Sequence, residues 1–247
     1  MERRFHALRL SYDGAAFRGW QRQPGATTVQ AAIEDALASL LGERVVVHGA
    51  ARTDAGVHAD AQVASFALRR AVAAQDLLGL SLGGSARLTA AGPVQPSFHA
   101  RASATGKRYR YRFAPGSLSA WDLGSARPDW DRARAGLQAL RGLPHLAGLA
   151  SPARARTPAP PLREWELTAD GDAAELTVFA SAFRKHQIRN LAGHLAAIAL
   201  GFAQPESLAR LAASHRPWHG ATAPPQGLTL LEVHYPRQLD PFRHAPP

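Results

Sequence analysis

The stretch Ala51-Arg52-Thr53-Asp54-Ala55-Gly56-Val57-His58-Ala59 decides how the first half of the chain is read. Before it lies Val45-Val46-Val47, a short β-branched run, and residues 62–68 after it read as another strand. Residues 51–58 are therefore predicted to be a short loop between two strands of a sheet. A carboxylate on such a loop can be held rigidly, and Arg52, two positions upstream, would favour its ionised form. A group so placed can act as nucleophile or base. On spacing alone, a turn aspartate beside an incidental arginine is the better reading.

Outward from that loop, residues 6–12 alternate, with Leu8, Leu10 and Tyr12 on one face, and stop at Asp13-Gly14, predicting a strand and a turn. Over 28–41, Val29, Ile33, Leu37, Leu40 and Leu41 recur at helical spacing; Thr27 with Gln30 suggests a capping box and Gly42 the C-cap. Farther on, residues 107–113 set Arg108, Arg110 and Arg112 on one face of a predicted strand and Tyr109, Tyr111 and Phe113 on the other. Trp130, Arg134, Leu137 and Leu140 predict a helix capped by Asp129. Residues 142–162, rich in proline and glycine, predict a long loop. Segments 163–168 and 175–180 flank Asp170-Gly171-Asp172 as a hairpin. Ile188, Leu191, Leu195, Ile198 and Phe202 give the strongest helical pattern, and 227–235 a last strand. Strands and helices mix without regular βαβ alternation, so the expectation is an α+β fold in two similar α+β halves. The first, 1–103, carries the Asp54 loop; the second, 104–247, carries the Tyr109 strand and the Arg189 helix.

Composition bounds the chemistry. Of 29 Lys+Arg against 19 Asp+Glu, a formal +10, only Lys107 and Lys185 are lysine. An arginine excess points to a polyanion, because guanidinium matches phosphate and stacks on bases; GC-rich codon usage produces the same excess, and the two are compatible. The absence of cysteine removes disulfides, thiol nucleophiles and Cys-ligated metal centres. His215 and His219 are four apart, but Pro217 between them spoils a helical face, and HExxH is missing, so no metal is expected. Gly106-Lys107 lacks the other residues of a P-loop. The start, Met1-Glu2-Arg3-Arg4-Phe5, leads into no apolar signal stretch, and the run 191–203 is too short to span a bilayer. A soluble, cytoplasmic protein with no membrane partner is expected.

Residues 101–112 hold five positive charges and no acid, interleaved with aromatics, and 184–189 hold three more beside His186. Basic rows next to aromatic rows suit phosphate contact and base stacking. Arg101, Lys107, Arg108, Arg110, Arg184 and Lys185 are thus candidate RNA contacts; the plainer alternative is a solvated basic face whose rings fill the core.

These segments together resemble the tRNA pseudouridine synthase A family almost end to end. The resemblance rests on Tyr12-Asp13-Gly14, Gly19-Trp20-Gln21-Arg22-Gln23, Thr28-Val29-Gln30, and above all Arg52-Thr53-Asp54-Ala55-Gly56-Val57-His58-Ala59 with Gln62-Val63. Phe98-His99-Ala100-Arg101, Ser103-Ala104-Thr105, Arg108-Tyr109-Arg110-Tyr111, Phe183, His186, Arg189-Asn190-Leu191, Gly193, Ala223-Pro224 and Gly227-Leu228 follow in order. It implies the pseudouridine synthase fold, with largely antiparallel sheets around a central basic cleft. It also implies that uridine is isomerised at positions 38, 39 and 40 of the tRNA anticodon stem-loop, without metal or cofactor, by a homodimer. Asp54 matches the family's catalytic aspartate, Arg52 an arginine implicated in extruding the base, Tyr109 the tyrosine that stacks on uracil, and Arg189 the arginine that pairs with the aspartate. Whether the carboxylate attacks C1′ or C6 stays open. Ala51, Arg184, Gln187 and Pro225-Gln226 depart from the family pattern, as do residues 81–88, which lack its Asn and Leu-Pro. A noncatalytic RNA-binding module and a nucleobase glycosidase using the same aspartate are the competing readings.

Overall fold

The computed structural model describes residues 3–114, 127–151, 159–216 and 218–243. Residues 152–158 of the expected loop over 142–162, and Pro217, lie outside them. The chain forms two compact units, one of residues 1–107 with 229–247 and the other of 108–228. A linear division at 103/104 has no such return of the C-terminal segment to the first unit.

In the first unit, β1 (Arg4–Tyr12) is central, antiparallel to β3 (His58–Leu68) on one side and to β4 (Ala86–Val94) on the other. The two-residue β2 (His48–Gly49) pairs with β3 at Ser65 and Ala64. On the same edge, β8 (Leu228–His234) runs parallel to β3, with His58 opposite Thr229 and Ala59 opposite Leu230. The valine triplet expected as a strand joins no strand ladder among the described residues. Glu34 Oε1 accepts the Val47 N–H at 2.9 Å and the Val47 carbonyl accepts from Gln30 Nε2 at 3.2 Å, so side chains take the bonds that a ladder would use.

Helix α1 (Val29–Leu41) forms where the apolar period predicts it and turns Val29, Ile33, Leu37 and Leu41 inward. Its N-cap is Thr28, whose side chain accepts from the Ala31 N–H, so the Thr27–Gln30 capping box is corrected by one residue; Gln30 is buried in the hydrogen bond to Val47 instead. Gly42 ends the helix at φ 72°, the left-handed conformation that glycine adopts without a Cβ penalty. A short α2 (Ala74–Leu78) follows β3. Ala7, Ala50, Val63, Phe98 and Ala100 form a buried cluster, and Val233, Tyr235, Leu239 and Phe242 from the returning C-terminal segment pack against it.

The second unit receives β5 (Gly106–Phe113), and its strands lie in the order β5-β7-β6. β6 (Glu164–Asp170) and β7 (Ala173–Ala180) form the expected hairpin, with Gly171 at φ 59° in the turn. Helix α3 (Trp130–Gln138) has its Asp129 cap, whose carboxylate accepts from the Asp131 and Arg132 amides. It packs with α4 (Gln187–Ala199) and α5 (Pro205–Ala213), the latter not anticipated from sequence. Among the described residues no helix is long and apolar enough to cross a membrane. Mixed helices and mostly antiparallel strands make the α+β class expected.

Candidate active site

The Asp54 loop is fastened from below by buried polar groups. Gln62, fully buried on β3, accepts the Ala51 N–H at 3.2 Å and donates to the Ala51 carbonyl at 2.9 Å. Its Nε2 also reaches the Tyr12 hydroxyl at 3.4 Å, and that hydroxyl shares a 2.8 Å hydrogen bond with Thr53 Oγ1. Burial pushes the Tyr12 phenol up to about 12, so it remains a neutral hydroxyl at ordinary pH. The Trp20 N–H donates to the Thr53 carbonyl at 3.0 Å, and the Val57 N–H closes the turn on the Asp54 carbonyl at 3.1 Å. A satisfied buried network of this kind fixes geometry, because each broken bond would strand a desolvated partner.

Two glycines let the chain approach the loop this closely. A Cβ on Gly14 would fall 2.1 Å from the Val57 carbonyl oxygen, and one on Gly19, at φ +91°, 2.8 Å from the Thr53 oxygen. Tyr12-Asp13-Gly14 and Gly19-Trp20 are therefore a bed for the loop. Thr53 and Ala51 are buried, Asp54 is half-buried, and Arg52 and Ala55 face solvent. His186 is the only described non-glycine residue at positive φ, so the departure at Ala51 leaves its backbone in a conformation that a Cβ tolerates.

In the second unit, Tyr109 points to the buried face of β5, with 6% of its surface exposed, and meets Phe183 edge-on at 5.2 Å. Arg189 stands in the first turn of α4, where Nε donates to the Ala223 carbonyl at 2.7 Å and the Ala223 N–H returns to the Arg189 carbonyl at 3.0 Å. The segment bearing Ala223 is held against α4 twice more. Thr222 donates to Asn190 Oδ1 at 2.7 Å, and Gly193 has the Ala221 oxygen where its Cβ would be. Asn190, fully buried, donates in turn to the Leu149 carbonyl. Tyr111 donates to the Pro224 carbonyl at 3.0 Å; burial raises its ionisation well above the usual range, and the Arg189 guanidinium offsets part of the rise.

The turn into α4 is strained. His186 sits at φ 60°, a conformation that costs a non-glycine residue roughly 1–3 kcal/mol. Ser151 secures it, its hydroxyl 2.6 Å from His186 Nδ1 and its N–H on the Lys185 carbonyl. Gln187 accepts the Arg184 N–H at 2.8 Å, which gives that departure from the family pattern a local purpose.

The basic candidates divide by environment. Arg108 pairs with Glu164 at 2.8 Å and lies 5.0 Å from the centre of the Phe179 ring. Arg112 and Arg110 share Glu175, at 3.0 and 3.7 Å. Residues 101–112 lack acids in sequence, but the hairpin supplies carboxylates in space. Lys107 is 8% exposed, and burial, assisted by Arg101, lowers its ammonium below the ordinary lysine value. Arg101 and Lys185 are exposed, and Arg184 is half-buried. Among the described residues no three His, Asp or Glu side chains are grouped to hold a metal. The His215 and His145 rings lie 4.8 Å apart, tilted by 48°.

Asp54 and Arg189 were candidates from the sequence; the hydrogen-bonding parts of Tyr12, Gln62, Asn190 and Ser151 were not anticipated. The signal for Gln62 was available: an amide at an otherwise apolar position of a buried strand must find partners.

The tRNA pseudouridine synthase profile matches residues 152–236. A tRNA pseudouridine synthase A of Geobacter sp. strain M21 is 36% identical over 242 residues, 93% of this chain and 98% of the relative. Proteins of the same name from Geotalea uraniireducens and Rhodopseudomonas palustris are 38% and 37% identical, each covered over 98% of its length. With this likeness running through both units, the chain belongs to the tRNA pseudouridine synthase A family, isomerases of the pseudouridine synthase fold.

Proposed function

We propose that the protein converts uridine to pseudouridine at positions 38, 39 and 40 of the tRNA anticodon stem-loop, with Asp54 as nucleophile. One observation carries the reading. Asp54 is the half-buried carboxylate of a loop whose neighbours Ala51 and Thr53 are clamped by Gln62, Tyr12 and Trp20. A nucleophile needs that kind of placement, since misplacement by about 1 Å can cost 10²-fold in rate.

In this mechanism the C1′–N1 bond breaks and a C1′–C5 bond forms on the same uridine. The proton displaced from C5 is balanced by one gained at N1, so product and substrate are isomers and no oxidant or second substrate is consumed. Asp54 holds the base or sugar, at C6 or C1′, while the uracil turns. The target lies in or beside a stem and must be flipped out, at a cost of a few kcal/mol. Stacking on Tyr109, worth about 1–3 kcal/mol, and Arg52 entering the vacated space offset that cost. Arg189, staged by Ala223, pairs with the carboxylate. Arg101, Lys107, Arg108, Arg110, Arg184 and Lys185 are assigned to the RNA backbone along a basic cleft, and a cytoplasmic homodimer is the working form.

The test is carbodiimide–primer extension on unmodified tRNA incubated with the wild type, Asp54→Asn and Asp54→Ala. The wild type is expected to modify uridines 38–40, and both variants to lose turnover while keeping most tRNA affinity. Turnover within about tenfold of wild type in either variant would sink the nucleophile assignment, and free uracil would favour a glycosidase.

A further inference from the structure

A cavity of about 390 Å³ opens in the first unit, away from the Asp54 loop. It lies where β2 and β3 part. Their pairing stops at His48–Ser65, and residues 45–47, which would continue it, are drawn off by Gln30 and Glu34. From His58, next to the Asp54 loop, to Ser65 is seven residues of β3, or about 23 Å at strand rise.

The lining is not that of an ordinary surface dimple. Arg3, Arg44 and Arg69 all border it, with Glu43 as the one carboxylate. None of the three arginines makes an ion pair among the described residues, whereas Arg108 and Arg112 each hold a glutamate. Gathering three guanidinium groups around a single carboxylate leaves a net positive cavity, which a bound anion relieves. Next to them are aromatic walls. Phe66 and Phe98 line the cavity, and the His48 and His99 rings lie 5.0 Å apart at its side. His99 Nδ1 accepts the Arg101 and Ala102 amides at 3.1 and 3.2 Å, leaving Nε2–H as a donor in the neutral ring. Finally, the Val63 carbonyl accepts from Ala50 on the β2 side, so by the alternation of an antiparallel ladder the Ala67 N–H and C=O also face that side. Ala67 lines the cavity, and no strand pairs with it there among the described residues. One backbone donor and one acceptor, side by side, match the edge of a nucleobase.

We infer that this cavity is a second nucleotide-binding site, with phosphate held by Arg3, Arg44 and Arg69, the base against the aromatic wall and its edge read by Ala67. The volume falls in the range of small-ligand pockets, roughly 300–1,000 Å³. A free nucleotide and an unpaired nucleotide of RNA share this chemistry.

The test titrates AMP and adenosine into the full chain by calorimetry, comparing wild type, Arg44→Ala/Arg69→Ala and Asp54→Asn. AMP, not UMP, keeps the probe off the uridine site. Saturable AMP binding is expected, at least tenfold tighter than adenosine, weakened tenfold or more in the double variant and unchanged in Asp54→Asn. That last arm separates this site from the catalytic reading, because AMP binding survives even if Asp54 proves not to be the nucleophile. Displacement of AMP by unmodified tRNA, with a raised KM for tRNA and intact kcat in the double variant, identifies an RNA nucleotide as the occupant. No displacement and an unmoved KM identify a free nucleotide. Absence of saturable AMP binding to wild type, or binding that survives the double substitution, overturns the proposal.

Discussion

Replacing Gln62 by leucine removes the clamp under Asp54 while keeping side-chain bulk. The leucine offers no partner to the Ala51 N–H and C=O, which Gln62 satisfies at 3.2 and 2.9 Å in a fully buried position. Tyr12 loses one contact but keeps Thr53 at 2.8 Å. Each of the two orphaned buried groups costs about 1–3 kcal/mol, so the variant is expected to lose about 2–6 kcal/mol. For a chain of this size that lowers Tm by about 4–24 °C. Turnover should fall by about tenfold or more through kcat, because the loop that presents Asp54 loosens, while KM for tRNA stays near wild type. Gln62→Glu is the companion variant. Its oxygen still accepts from Ala51, but the carboxylate has no N–H for the Ala51 carbonyl and is desolvated. Burial raises its pKa above the unfolded value, so its stability relative to wild type is best in acid and is lost as pH rises through the folded pKa. Calorimetric melting and single-turnover kinetics on the same preparations check both. Unchanged melting with unchanged kcat in Gln62→Leu would refute the clamp.

Gly19→Ala meets both a positive φ and the Thr53 oxygen, so it should lower kcat and cost roughly 1–2 kcal/mol at least; wild-type melting and turnover would count against the close approach. Tyr109→Phe should retain tRNA binding and stability, with slower catalysis if the hydroxyl aids proton transfer; unchanged turnover removes that role. Glu164→Gln frees Arg108 from its carboxylate, so tRNA binding should tighten and its salt dependence steepen; an unmoved affinity and salt slope would exclude Arg108 as a phosphate contact. Lys107 has a folded pKa below its unfolded 10.5, so between those two values the unfolded chain binds more protons and stability rises with pH. Lys107→Met should therefore stabilise the protein at neutral pH, with the gain shrinking toward pH 10.5 in urea unfolding. A destabilised variant at neutral pH would contradict this.

Legibility followed the range of the forces involved. Strand β1, helices α1, α3 and α4 and the β6–β7 hairpin were readable because their apolar periods, caps and turn residues are local. Strand β4 was not: Ala86-Arg87-Leu88-Thr89-Ala90-Ala91-Gly92-Pro93-Val94 has weak β propensity and forms because β1 needs a partner, and Pro93 is tolerated in an edge strand. Residues 45–47 have the opposite history, with high propensity overridden by Gln30 and Glu34. Helix α5 did carry a signal, with Pro205 in its first turn, Glu206 early and Arg210 late. At the site, Asp54 was visible as an unusual carboxylate, but the Tyr12 hydroxyl that holds Thr53 and the glutamates facing the arginine row lie far off in sequence and meet their partners only after folding.

The parallel pairing of β8 with β3 has a consequence for the order of folding. It seats Thr229 and Leu230 on His58 and Ala59, the first residues after the Asp54 loop. During synthesis the whole of residues 108–228 must be made before that partner exists, a wait of roughly 6–25 s at the usual elongation rates. Through that interval the first unit carries an open strand edge beside its loop and an uncovered Ala7–Val63–Phe98 cluster, the surfaces that recruit chaperones or neighbouring nascent chains. Strand β8, made only after residues 108–228, is the one that braces the chain just beyond the Asp54 loop, which left the ribosome long before it.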